Sequence, residues 1–528
     1  MRLRSFVPLL AVTTLAVATL LYSHLAAAPP PLPPSPLLPR LSPEAGLSFS
    51  IRDADTGELM PGKLTFLGAG GSRTPEFSRN DIGRTEEGGV AAFNHVFSAG
   101  GLGVVRVPLG TYDVYVSRGP EWDLFVARNV RVGPQGAELR ATLRRAFDTT
   151  GWLSGDFHVH SAASMDSHVP LLHRVHQFLA DGVEMIVATD HNVVSDYAPI
   201  IAELGVGRYL ACATGDELTT ATWGHFGAFP LPQVLESAGQ GAVLVHGRTA
   251  RDFFADVRKA APAALIDVHH PRIDNLIGYF DLGRFDSHAD RAERPGFSYD
   301  FDAIEVLNGY QDSERRSIDR VMTDWFALLD HGHLVTATGN SDTHHLTYNL
   351  GGYPRNYVLL RDDHPAVVRP EEVAAAVRAH HSFFTTGPFV QLTVNQGRIG
   401  DTVPAPGGTA YAEVDVRAAS WVDISEVTLF VDGKEERRWE LPRGTHLGHF
   451  HEGHEFALKR DAYVVARVEG REPLAPVIGD RERFVVLPFA LTNPVFLDVD
   501  GNGHFDAALA HGSHVAPAPA AAPPPAAP

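Results

Sequence analysis

Gly155-Asp-Phe-His-Val-His160 closes an apolar run that begins at Trp152, and its two histidines stand two positions apart. Side chains alternate along an extended strand, so Asp156, His158 and His160 project to one face. Two imidazoles on one face make half a metal site; the plain alternative is a polar strand end with satisfied histidines. The pattern recurs along the chain. Glu184-Met-Ile-Val-Ala-Thr189 ends in Asp190-His191, and Tyr209 to Gly215 ends in Asp216-Glu217. Ala264-Leu-Ile-Asp-Val268 ends in His269-His270-Pro271-Arg272, and His333-Leu-Val-Thr-Ala-Thr338 in Gly339-Asn-Ser-Asp-Thr-His-His345. A βα barrel collects its functional groups at the C-terminal ends of its strands, so this recurrence predicts a polynuclear metal centre rather than coincidental polarity.

Outward from this segment the pattern changes on both sides. From Trp152 to about Thr386 strand-like runs alternate with helical ones, the order of a parallel sheet or barrel. Ile318, Val321, Met322, Trp325, Phe326 and Leu329 share one face of a helix. Between Leu47 and Leu143, short β-rich runs broken by Gly and Pro predict a β-sandwich, with Asp55-Thr56-Gly57 and Leu109-Gly110-Thr111-Tyr112 similar to carboxypeptidase-regulatory-type sandwiches. Beyond Gly387-Pro388 a period of two returns in Ala410, Ala412, Val414 and Val416, and Asp432-Gly433 marks a tight hairpin in a second sandwich.

The chain has 528 residues, with 44 Lys plus Arg against 63 Asp plus Glu and a net charge of −19. That balance argues against a polyanion-binding face, so nucleic acid is not an expected partner. The single cysteine, Cys212, rules out an intramolecular disulfide and reads as a buried strand thiol. Arg2 and Arg4 precede an apolar stretch from Phe6 to Tyr22 and a small-residue site at Ala26-Ala27-Ala28, the features of a secretory signal peptide; an uncleaved anchor is the alternative. The expected organisation is a signal peptide (1–28), a proline-rich linker (29–46), an N-terminal sandwich (47–148), a metal domain (149–387), a C-terminal sandwich (388–506) and an Ala/Pro tail (507–528). Export to the periplasm or the extracellular space follows, with no membrane span after cleavage.

Asp-Phe-His-Val-His160, Ala-Thr-Asp-His191, Gly-His225-Phe, His270-Pro-Arg and Ser-Asp342-Thr-His344 occur in an order that resembles the polymerase-and-histidinol-phosphatase (PHP) metallohydrolases, in particular the carbaryl-hydrolase-like CehA/McbA branch. The resemblance covers roughly residues 151–387. It implies a multidomain α/β plus all-β fold, a distorted (β/α)7 barrel flanked by β-sandwiches, with two or three divalent ions (Zn, Mn or Fe). By motif the ligands would be His158, His160, Asp166, His191, Glu217, His225, His270, Asp342 and His344. Asp166 lies six residues after His160, one more than the usual spacing, with Met165 as the extra residue. Asp216 and Glu217 are adjacent, as are His269 and His270, and in an extended strand one of each pair faces the metals. The resemblance implies Glu217 and His270 as the ones that do; His269 supports the site from behind or points away.

Such a centre implies hydrolysis without a protein nucleophile, because divalent ions bring the pKa of a bound water to near 7. Asp342 and His344 are the expected proton-handling pair, Asp190 can orient an imidazole, and Arg272 can hold a substrate anion or form a salt bridge with a loop carboxylate. The resemblance implies cleavage of an ester, amide or carbamate bond in a small-molecule or polymer-derived substrate. A phosphoesterase on the same site and a non-catalytic surface-binding protein with a structural metal are the alternatives, and the oligomeric state is open. The negative charge favours a neutral substrate. His173 and His176 read as a solvated helix face, and His446, His449, His451 and His454 as a loop cluster with no element to fix its geometry, a transition-metal trap being the lesser alternative. Asp498, Asp500, Asn502 and Asp506 follow a calcium-loop spacing, but Leu509 replaces the final Glu, so a structural turn is favoured over a weak Ca site.

Overall fold

Alternation alone builds the first layer. Leu47, Phe49 and Ile51 of the strand Glu44–Asp53 are buried while their neighbours face outward, and they pack against Leu64, Phe66, Val114 and Val116 of a second sheet. The computed structural model describes residues 43–509 except 79, 81, 274–277, 310–314, 347, 349, 443–447 and 480–483. The expected signal peptide, most of the linker and the tail, and His446, lie outside the described residues. A three-stranded sheet (Leu102–Pro108, Glu44–Asp53, Ala137–Leu143) faces a six-stranded one running from Arg84–Glu86 to Phe125–Val132.

The strands carrying the histidines fall into two sheets. Ala211–Thr214, Met185–Ala188 and Trp152–Val159 run parallel and continue antiparallel through Arg355–Leu359 and Ser382–Thr385. Asp216–Thr220, Gly224–Phe229, Leu265–Val268, Ala303–Asn308 and Thr336–Asn340 form the other sheet, antiparallel in its first half and parallel in its second. Among the described residues only isolated bridges join them, including His191 to Glu217 and Val159 to Thr343. The strands expected to form a barrel lie in two mixed sheets, and the described residues show no closed barrel. The helix Arg315–Asp330 packs the predicted apolar face, Ile318 through Leu329, beneath the second sheet.

Beyond the predicted boundary at 387 the first sheet does not stop. Ser382–Thr385 pairs with Phe489–Thr492, which continues through Ala462–Glu469 and Glu426–Val431 to Lys434–Glu440. The C-terminal sandwich thus shares a sheet with the metal domain. Asp432 and Gly433 both have positive φ, as the tight hairpin requires.

Three local expectations are corrected. His173 and His176, on the helix Leu171–Ala180, are buried, because the N-terminal sandwich covers that face; His173 Nε2 meets Thr85 and His176 Nδ1 meets the Phe97 carbonyl. His449, His451 and His454 belong to the strand His449–Ala457, held by nine residue pairs to Thr409–Arg417. Cys212 lies on a strand but is half-buried, and burial with neighbouring Asp196 pushes its thiol up to about 12, which leaves it unreactive.

Candidate metal centre

Every residue of the strand Trp152–Val159 is buried, so its polar side chains need fixed partners. Asp156, expected on the histidine face, accepts the amides of Ser341 (3.2 Å) and Gly352 (2.8 Å). It shapes the turn that carries Asp342 rather than joining the cluster, and burial pushes its carboxyl up to about 6. Asp342 N donates to the His158 carbonyl at 2.9 Å. The turn leaves Asp342 at φ +52°, and His270 has φ +28°. Left-handed backbone at a non-glycine residue costs on the order of 1–3 kcal/mol and persists where its surroundings enforce it.

The nine motif-derived residues converge. His158 Nε2 lies 2.9 Å from Glu217 Oε1 and 3.1 Å from Asp342 Oδ1, and His160 Nε2 is 3.2 Å from the same Asp342 oxygen. Glu217 also faces His191 (2.5 Å), His225 (3.3 Å) and His270 (3.8 Å). Asp166, half-exposed despite its displaced spacing, reaches His191 at 3.0 Å and His344 at 3.3 Å. Four overlapping groups can each hold an ion: His160, Asp166, His191 and His344; His158, His160 and Glu217; His158, His270 and Asp342; His191, Glu217 and His225.

The adjacent pairs behave differently. Asp216 turns away, its carboxylate 3.4 Å from the Val243 amide, and burial raises it to about 8. His270 joins a candidate ligand group and His269 lies behind it against Glu217, the supporting placement of the two expected for it. The strand ends at Val268, so alternation no longer applies to them. His269 stacks on His158 with ring centroids 3.5 Å apart and brings Nδ1 to 2.9 Å from Glu217. A Cβ on Gly227 would stand 2.3 Å from His269 Nε2, so only glycine admits that ring.

Asp190 acts at one remove. It accepts from the Ser161 amide (2.6 Å) and from Ser164 Oγ (2.9 Å), and Ser164 Oγ contacts His160 Nδ1 at 2.9 Å. The imidazole is oriented through a serine. Arg272 is committed to Asp324 (2.6 Å) and Asp281 (3.0 Å), the salt-bridge reading of the two, and does not reach the cluster. Glu305 was not foreseen. Fully buried on Ala303–Asn308, it faces His158 Nδ1 at 3.0 Å and accepts the His270 amide at 2.7 Å. Its one sequence signal is an ionisable residue inside the apolar run Ala303-Ile-Glu-Val-Leu307. Asp498 accepts the amides of Gly501 and Gly503, Asp500 that of Asn502, and Asn502 Nδ2 donates to Asp506, the bonds of a structural turn.

The donor set fits divalent ions. His158 Nε2 and His160 Nε2 are buried and lack an aligned hydrogen-bond partner although carboxylate oxygens lie about 3 Å away. Converging lone pairs of this kind need a cation. Without a metal, protons take that place. Burial alone would lower His158, but Asp342, Glu217 and Glu305 raise it well above the usual histidine range. Burial also works against His191, yet Glu217 and Asp166 push it up to about 10.

This sets the sign of a pH effect. In the metal-free protein His191 holds a proton below about pH 10, and a metal must displace it. Metal uptake is therefore expected to release protons, and affinity to rise about tenfold per pH unit for each proton displaced between about pH 6 and 9. Titration calorimetry in buffers of different ionisation heat checks this; uptake without proton release would contradict it.

No family profile and no curated protein matches the chain. Among solved structures, the CARDB domain of a Pyrococcus furiosus protein is 13% identical with TM-score 0.14, covering 21% of this chain and 94% of its own. A Bifidobacterium adolescentis protein, whose description as a metal-dependent phosphoesterase is itself an inference, is 14% identical with TM-score 0.24, covering 36% and 87%. An FMN-binding β-glucuronidase from Faecalibacterium prausnitzii is 12% identical with TM-score 0.16, covering 88% and 75%. At these scores the likenesses carry no argument about function, and the site's own chemistry must do so.

Proposed function

We propose that the protein is an exported metal-dependent hydrolase that cleaves an ester, amide or carbamate bond, on an opened variant of the distorted PHP-type barrel. The observation that carries this reading is the sharing of ligands: Glu217 and His158 each belong to two of the four groups. A structural metal needs one closed sphere of four ligands, whereas overlapping spheres suit adjacent ions. When bound, such ions acidify a water to act as nucleophile near neutral pH and polarise the bond under attack.

The chain's own residues do the rest. Glu305 holds His158 from behind, and Ser164 with Asp190 holds His160, so both imidazoles present Nε2 without reorganisation. Asp342, with His160 and His344 beside it, is placed to accept a proton and pass it to a leaving group. His344 and half-exposed Asp166 mark the side open to substrate. Arg272 is taken up by carboxylates, and the net charge of −19 disfavours anions, which together support a neutral acyl substrate over a phosphorylated one.

Purified protein loaded with Zn, Mn or Fe is expected to hydrolyse p-nitrophenyl acetate, to lose that activity on chelation and to regain it on metal return. Turnover of bis-p-nitrophenyl phosphate alone would move the assignment to phosphoester chemistry.

A further inference from the structure

A second set of imidazoles lies apart from this centre. The C-terminal sandwich carries a four-stranded sheet in the order Gly397–Arg398, Phe389–Val394, Thr409–Arg417, His449–Ala457, so the last strand is an edge. His449 and His451 stand two apart on it and both face solvent, while Phe450 between them is buried. The antiparallel register places Asp415 opposite His451 and Arg417 opposite His449. Asp415 is thereby set between two imidazoles on one face.

The distances converge on one oxygen. Asp415 Oδ2 lies 2.7 Å from His449 Nε2 and 3.4 Å from His451 Nδ1, and the three donors all fall within 4.8 Å of one another. Two donors bound at about 2.0–2.1 Å to a tetrahedral ion stand about 3.4 Å apart. The set is thus near a coordinating geometry before any ion binds. Arg417 Nε holds the other Asp415 oxygen at 3.0 Å, and Glu413 Oε1 lies 3.8 Å from His451 Nε2. The Arg417 contact behind the site orients the Asp415 carboxylate. A hydrogen-bonded surface pair would need one imidazole; the second completes a three-donor face.

We propose that Asp415, His449 and His451 form a second, solvent-accessible site for one divalent transition ion of the Zn2+ or Cu2+ class, independent of the central cluster. Two imidazole nitrogens select these ions over Mg2+ and Ca2+, and exposure leaves the remaining positions to water. The site shares no residue with the central cluster, so it does not depend on the hydrolase reading.

The test counts Zn2+ on the full chain. Protein first loaded with Zn2+ is desalted to retain slowly exchanging ions and then titrated with Zn2+ by calorimetry. Wild type is expected to take up one further equivalent that His449→Ala/His451→Ala does not. Asp415→Asn, close in shape to the native residue, is expected to show the same loss, while His454→Ala, paired with Glu436 at 3.1 Å, keeps the uptake. Unchanged melting temperatures separate loss of the site from loss of the fold. Equal uptake by wild type and the double variant, or none by wild type, overturns the proposal. Failure of ester hydrolysis would leave this count unaffected.

Discussion

Glu217→Gln is expected to cost the protein at least one metal ion per chain and to lower hydrolysis by about 10²–10⁴-fold. The side chain keeps its size and loses only its charge. That charge faces His158, His160, His191, His225, His269 and His270 from a fully buried position. Burial would raise its pKa, but the surrounding imidazoles hold it well below the usual carboxylate range, so it is the anion on which the positive charge of the site converges. With an amide there, the His158–His160 and His191–His225 groups lose their shared oxygen ligand. Metal analysis by mass spectrometry and initial ester rates at saturating metal check the two effects. Full metal content and full activity in the Glu217→Gln variant would remove the basis for placing the reaction at this cluster.

The second large effect concerns stability. Lys63→Met is expected to destabilise the protein by about 3–5 kcal/mol, because Asp181 is left buried without its counter-ion. Lys63 comes from the N-terminal sandwich and Asp181 from the end of the helix Leu171–Ala180; both side chains are fully buried, 2.6 Å apart. Burial lowers the lysine pKa and Asp181 opposes that shift, as expected for a pair that must stay together. Replacing both, as Lys63→Met/Asp181→Leu, is expected to recover most of the loss, since apolar groups of similar volume carry no desolvation penalty. Urea unfolding of the single and double variants measures both terms. A single variant within about 0.5 kcal/mol of wild type would show the pair to be dispensable.

Some of this was legible from residue order because it depends on local periodicity. The period of two places His158 on the inner face, the helical period places Ile318 through Leu329 in the core, and Asp432-Gly433 needs only its own backbone to turn. The convergence of His, Asp and Glu was carried by strand ends recurring in order. Where periodicity stops, the reading stopped with it: His269 and His270 lie past the end of their strand, and Glu305 is identified as a partner of His158 only when two strands 147 positions apart are brought together.

Residue order by itself determined which side chains can share a face and which chemistry they can support, since alternation and donor type are properties of short stretches. The tertiary structure decided what those faces meet: a sandwich over His173 and His176, carboxylates around Arg272, one sheet running through the predicted boundary at 387, and a strand beneath His449 and His451. Pairing between distant strands sets these outcomes, because register and burial arise from contacts that no local stretch contains.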